Sequence, residues 1–196
     1  MNALDLNATH VVTEPPTAGI IDVVRLRRQC KIEHASEDAD LLDFLETATR
    51  MLEDECRLLL RPQEGVLNLD RFPGGSCPIY VERFPVAEIT EITYLDTTGA
   101  RQTWDPELYV AGLSSFPPRI QPAFGKAYPT VRRQPESVQV SYSGGYAAAD
   151  VPPLAKQAAL LLVGQWYLNR ELVGDLPKNI EENFRSFTRR LSWGAP

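Results

Sequence analysis

Residues Val151 to Glu171 read V-P-P-L-A-K-Q-A-A-L-L-L-V-G-Q-W-Y-L-N-R-E. Pro152 and Pro153 suit the first turn of a helix and little beyond it, because proline lacks the N–H that later turns need. Leu154, Ala158, Leu161, Leu162 and Trp166 recur at helical spacing, while Ala159, Leu160, Val163, Tyr167 and Leu168 fill the other faces. A surface helix carries one apolar stripe; a helix apolar nearly all round is covered on most sides. This one is too short and too interrupted to span a membrane. In a chain of 196 residues it is expected to take part of its cover from a neighbouring subunit. Leu154, Ala158, Leu161, Leu162, Trp166 and Tyr167 are the residues expected at that contact.

Other helices flank it in sequence. Ile20, Val23, Val24, Arg27 and Cys30 predict a short amphipathic helix over 20–30. Ser36 is placed to cap a long helix, with Glu37, Asp38 and Asp40 in its first turn, where the macrodipole favours acids. Leu41, Leu45, Ala48, Leu52, Cys56 and Leu59 mark its apolar stripe, and Pro62 stops it, so an end near Arg61 is expected. Glu37, Asp38, Asp40, Asp43 and Glu46 are expected on a face turned to solvent. After Gly174-Asp175-Leu176-Pro177, a last helix is predicted over 179–192, capped by Asn179, with Ile180, Phe184, Phe187 and Leu191 on one side.

Between the long helix and the buried one the apolar period changes from 3.6 to two. G-V-L-N-L-D-R-F alternates from Gly65, and Pro73-Gly74-Gly75 turns the chain. P-I-Y-V-E-R-F and A-E-I-T-E-I-T-Y-L-D read as strands joined by Pro85, and D-T-T-G before Ala100 is a hairpin signal. The proline-rich stretch from Ser114 to Pro135 reads as one long loop, and S-V-Q-V-S-Y as a strand closed by Gly144-Gly145. The fold class is therefore α+β. A small bundle of about four helices carries an antiparallel β module inserted between the long helix and the buried helix. The divisions are an arm over 1–18, a helical core with its C-terminal segment over 19–64 and 147–196, and the module over 65–146. The arm is polar, with Pro15-Pro16, and reads as extended or disordered.

The net charge of −6 argues against an electrostatic nucleic-acid binder. Residues 33–64 hold ten acids against three bases, whereas 153–196 hold six bases against four acids. Such regions can meet across a subunit contact, or both can be solvated faces. Cys30, Cys56 and Cys77 are odd in number and far apart, which fits buried free thiols rather than a disulfide framework or a zinc site. The N-terminus shows no basic region followed by an apolar run, so no signal peptide is expected.

Catalytic chemistry is scarce in this sequence. His10 and His34 have no flanking cysteines, and Gly144-Gly145 lacks the surroundings of a phosphate loop. No serine stands in a G-x-S-x-G elbow. Asp43 and Glu46 face together on a helix but read as its wet face. No enzyme activity, metal or cofactor is expected. In the tail, Phe184, Arg185, Phe187, Arg189, Arg190 and Trp193 combine aromatics with arginines, the residue types enriched at binding hot spots.

Five segments in this order resemble the head–tail connector (adaptor) family of long-tailed bacteriophages, in the subgroup with an inserted β module. They are I-I-D-V-V-R-L-R-R-Q-C-K-I, E-D-A-D-L-L-D-F-L-E-T-A-T-R-M-L-E, I-Y-V-E-R-F-P-V-A-E-I-T-E-I-T-Y-L-D-T-T-G, S-V-Q-V-S-Y-S-G-G-Y and the Val151–Glu171 stretch. The resemblance covers about residues 20–175. It departs at the ends: the family often closes on P-Y-R or similar, and here the tail reads P-K-N-I-E-E-N-F-R-S-F-T-R-R.

The resemblance implies a homo-oligomeric ring, typically of twelve subunits, beneath the portal of a filled capsid. It implies a virion protein of the neck, assembled in the bacterial host cytoplasm. Its partners would be itself, the portal protein, and the next connector, stopper or tail protein. Genomic DNA would pass through the channel, which the acidic face from Glu37 to Glu46 could line, without specific binding, and no membrane would be involved. The tail residues from Phe184 to Trp193 are expected to dock on the portal. The other reading is a different phage tail-completion or baseplate subunit, which ring symmetry would separate from the first.

Overall fold

The computed structural model describes residues 9–14, 19–75, 77–169 and, further on, Glu181, Glu182, Arg185, Ser186 and Thr188. The chain divides into two compact units, one of Met1–Pro15 with Pro62–Gly145, the other of Pro16–Arg61 with Tyr146–Pro196.

The described part of the first unit is β strands with one short 3-10 turn, Pro106–Leu108. Its larger sheet is built from β1 (Thr9–Glu14), β2 (Gln63–Leu69), β4 (Val86–Leu95), β5 (Arg101–Thr103) and β8 (Val138–Gly144), in the order β1-β2-β8-β4-β5. Every pairing in it is antiparallel. A second sheet holds β3 (Ile79–Tyr80), β7 (Arg119–Pro122) and β6 (Tyr109–Gly112), in the order β3-β7-β6. β8 alternates cleanly, with Val138, Val140 and Tyr142 buried. β4 does not, because bulges between Val86 and Glu88 and between Ile89 and Glu91 each add a residue. The apolar positions Val86, Ile89 and Ile92 therefore fall three apart instead of two.

Two expectations change in this unit. Part of the expected arm, residues 9–14, is a strand hydrogen-bonded to β2. The stretch expected as one loop from Ser114 to Pro135 contains β7, because Ile120 falls inward between polar neighbours and pairs with both Ile79 and Ala111. The D-T-T-G hairpin signal forms its turn. Asp96 accepts hydrogen bonds from the backbone of Thr98 and Ala100 and from the side chains of Thr98 and Gln102. Gly99, with φ +92°, supplies the left-handed residue.

An aromatic cluster fills part of the β unit. Trp104 is buried, with its ring centroid 5.3 Å from Phe72, 5.0 Å from Tyr109 and 5.4 Å from Tyr128. Phe72 and Tyr128 stack at 5.0 Å, and the Tyr128 hydroxyl donates to the Cys77 carbonyl at 2.8 Å.

The second unit is helical, with α1 (Val23–Cys30), α2 (Asp38–Cys56) and α3 (Pro153–Leu168) packed on one another. Three α-helices stand among the described residues where about four were expected. The fourth, over 179–192, lies largely outside them, although the five described tail residues are helical. Asp22 caps α1 by accepting from the Val24 N–H at 2.7 Å. Ser36 does not cap α2. The helix starts two residues later with Glu37 at the cap position, and the Ser36 hydroxyl is hydrogen-bonded to His34 Nδ1 instead. α2 also ends before Arg61, since Arg57 turns left-handed at φ 55° and its N–H bonds to the Glu53 carbonyl. Leu58, Leu59 and Leu60 are buried as non-helical chain.

Candidate functional site

The helix that organised the sequence is covered mainly by its own unit. Ala155, Ala158, Ala159, Leu160, Leu162 and Val163 are buried within one subunit. Of the expected contact residues, Ala158 and Leu162 are among those buried inside the subunit. Leu154, Leu161, Trp166 and Tyr167 are half-buried. Leu168 is 77% exposed and was missing from the expected set. It follows Leu154 and Leu161 at steps of seven, so the three lie along one side of α3. That spacing is the signal by which it was findable.

The flank of this surface continues onto α2. The rings of Phe44 and Trp166 meet at 6.2 Å with a tilt of 53°, which ties α2 to the last turns of α3. Met51, two turns beyond Phe44 on the same side of α2, is 39% exposed.

The acidic face splits into two kinds of residue. Asp38 receives a two-pronged hydrogen bond from the Arg27 guanidinium, joining α1 to the first turn of α2. That bond holds the Asp38 carboxyl below its ordinary value. Glu46 binds Arg61 at 2.5 Å and Arg50 at 2.7 Å. Burial works against its charge, yet the bonds from Arg61 and Arg50 prevail and lower its pKa. Glu37 is half-buried at the cap position. Of the expected five, Asp40 and Asp43 are exposed and the other three are half-buried.

Sequence reasoning missed the charged group inside this unit. Arg61 is 4% exposed and Glu53 8%. Arg61 Nη2 donates to Glu53 Oε2 at 3.4 Å, and Glu53 Oε1 accepts from the Leu60 N–H at 2.9 Å. Burial pushes the Glu53 carboxyl up, with Arg61 opposing the rise. The arrangement fixes how the chain leaves α2; an arginine before a proline gave no sign of it.

In the tail, Arg185 is exposed and pairs with Glu181 at 2.6 Å, one turn away. Phe184, Phe187, Arg189, Arg190 and Trp193 lie outside the described residues. Thr188 is buried, and its carbonyl accepts from the Cys56 thiol at 3.8 Å, so the segment touches its own subunit there.

Among the described residues no group of three or more His, Cys, Asp or Glu is placed to hold a metal ion, and no helix is long and apolar enough to cross a membrane.

The fold has solved counterparts. One is a chain of a structure described as "Virion of native gene transfer agent (GTA) particle", with a TM-score of 0.73 and 19% identity. Another, from "Neck of empty GTA particle computed with C6 symmetry", has the same values. A third, from "Neck of native GTA particle computed with C12 symmetry", has a TM-score of 0.72 and 20% identity. In all three the match covers 91% of this chain and 94% of the other. This chain shares their fold over nearly its full length. No protein-family model matches the sequence, and no curated protein matches it.

Proposed function

We infer that the chain is a structural head–tail connector of a phage-like particle. Copies of it form a ring of twelve beneath the portal, extending the DNA channel and docking the next connector or tail protein. The observation that carries this reading is the fold shared, over 91% of the chain, with a chain from a gene transfer agent neck computed with C12 symmetry. The order of helices and inserted β module read from the sequence supports it independently.

The half-buried Leu154, Leu161, Trp166 and Tyr167 of α3, with the exposed Leu168, supply apolar area for contact between copies. The C-terminal segment, from Phe184 and Arg185 through Arg189, Arg190 and Trp193, is the proposed portal contact. A net charge of −6 suits a ring through which DNA passes without adhering.

Electron microscopy of the purified protein, alone and with its portal, tests the reading. Closed rings with twelve-fold symmetry seated on the portal are the expected result. Six-fold rings would favour a tail-terminating subunit, and a protein that never associates would overturn the connector reading. Deleting residues 177–196 tests the portal contact. Rings that form but no longer bind the portal are expected; retained binding refutes that role.

A further inference from the structure

The outer side of α1 is cationic and exposed. Arg25, Arg28 and Lys31 are exposed and belong to none of the ion pairs among the described residues, while Arg27 alone turns in to Asp38. Positions 24 and 28 lie one turn apart on α1, so Val24, 47% exposed, shares its side with Arg28, and Lys31 follows at the left-handed C-cap. Exposing a valine among three cations gains nothing in an isolated subunit.

The same unit carries the complement. On α2, Asp40 and Asp43 are exposed and likewise enter no ion pair among the described residues. Asp40 shares its side of the helix with Phe44, Thr47 and Met51. One face thus offers three cations around an exposed aliphatic residue. The other offers two anions beside half-covered and exposed apolar ones.

We propose that the cationic face of α1 docks on the acidic face of α2 of a second copy of this chain. The occupant follows from charge. A two-fold contact through either face would set like charges against each other, whereas face on counter-face pairs them. A contact between two different patches is head-to-tail, and such contacts close into rings when the rotation allows. The inference rests on the ring reading and deepens it by assigning one set of partners. It also gives Asp40 and Asp43 to a neighbouring copy rather than to the channel wall.

Charge reversal tests it. Arg25→Glu with Arg28→Glu makes both faces acidic, and Asp40→Lys with Asp43→Lys makes both basic. All four positions are exposed, so folding is expected to be retained, and circular dichroism with melting checks that. Each variant alone should need at least about tenfold more protein to assemble than wild type, by mass photometry. An equimolar mixture should recover rings holding the two variants one to one, and all four reversals in one chain should also restore assembly. Raising salt should weaken wild-type assembly.

If each reversed variant assembles like wild type, or the mixture fails to recover rings, the pairing is wrong while the ring reading stands. If wild type never associates, the ring reading itself falls. The neutral pair Arg25→Gln with Arg28→Gln should lie between wild type and the reversal; indifference to it also counts against the pairing.

Discussion

The guanidinium of Arg61 lies 3.4 Å from the carboxylate of Glu53, in a part of the helical unit where both side chains are nearly sealed from water. Two charges in such a place are stable only together, because each alone would lack the water it lost. Arg61→Met should therefore destabilise the unit by about 3–5 kcal/mol, and Glu53→Gln with Arg61→Met together by less than the sum of the two singles. Urea unfolding of the four proteins checks the cycle; strict additivity would mean the pair does not interact. A pH signature accompanies it. The Glu53 carboxyl holds its proton more tightly folded than unfolded, because of burial. Its contribution is thus fully present below the ordinary glutamate value of 4.5 and fades as pH rises through the higher folded value. Removing Arg61 takes away the opposing charge, so the Arg61→Met protein should lose stability with rising pH more steeply than wild type.

Gly65 and Tyr142 face each other across β2 and β8. A Cβ on Gly65 would stand 2.7 Å from the Tyr142 Cζ and hydroxyl oxygen. The same hydroxyl lies 3.2 Å from His10 Nδ1 on β1. Gly65→Ala should displace the ring at a cost of about 1–3 kcal/mol, the usual range for overpacking. It should also speed hydrogen exchange of the β1 amides before the rest of the sheet. Burial pushes the Tyr142 hydroxyl up to about 12, and expulsion of the ring should return it toward 10 in an ultraviolet titration. An unchanged titration would show that the sheet absorbs the methyl without moving the tyrosine.

The three thiols should react in a fixed order. Cys77 is exposed, Cys30 half-buried and Cys56 fully buried. Burial, assisted by Glu55, pushes the Cys56 thiol up to about 12. With a thiolate-selective reagent near pH 8, Cys77 is expected first, Cys30 slowly and Cys56 only on unfolding. Deleting residues 177–196 removes the Thr188 carbonyl that the thiol bonds to. Cys56 should then react in the folded protein. Continued silence would mean α2 and α3 alone seal it.

Asp96 should make its hairpin acid-sensitive. Its carboxylate collects the Thr98 hydroxyl, the Gln102 amide and two backbone N–H groups, and its pKa falls from 3.8 to about 2. A lowered value means that the stabilisation is complete above the unfolded value of 3.8 and is lost as pH drops toward 2. Local melting of the 95–101 turn followed by NMR should track that window in wild type and vanish from it in Asp96→Asn. A carboxyl titrating near 4 would refute the bonding described.

Much of this architecture was legible in the chain. The change of apolar period between Pro62 and Gly144 separates strands from helices, because side chains alternate on a strand and recur every 3.6 residues on a helix. Asp96 to Gly99 announced a turn, since glycine alone takes φ +92° without strain. Val151–Glu171 announced a helix with little room for solvent. Other features were set only by tertiary contacts. The Ser36 hydroxyl bonded to His34 instead of capping α2, and α2 ended at Cys56 because Arg57 turned left-handed. β7 arose within a proline-rich stretch because Ile79 and Ala111 lie on either side of Ile120.

The division within α3 was the least legible. Composition alone makes Ala158, Leu161, Leu162 and Trp166 equal candidates for a neighbour. Which of them a partner can reach depends on where α1 and α2 pack, and that packing buries Ala158 and Leu162 while leaving Leu161, Trp166 and Leu168 at the surface. Apolar periodicity is local, so the sequence by itself determined which elements form and which sides are apolar. Burial is a property of the elements brought together, so only the tertiary structure decided which apolar sides remain for a partner and where Arg61 finds its carboxylates.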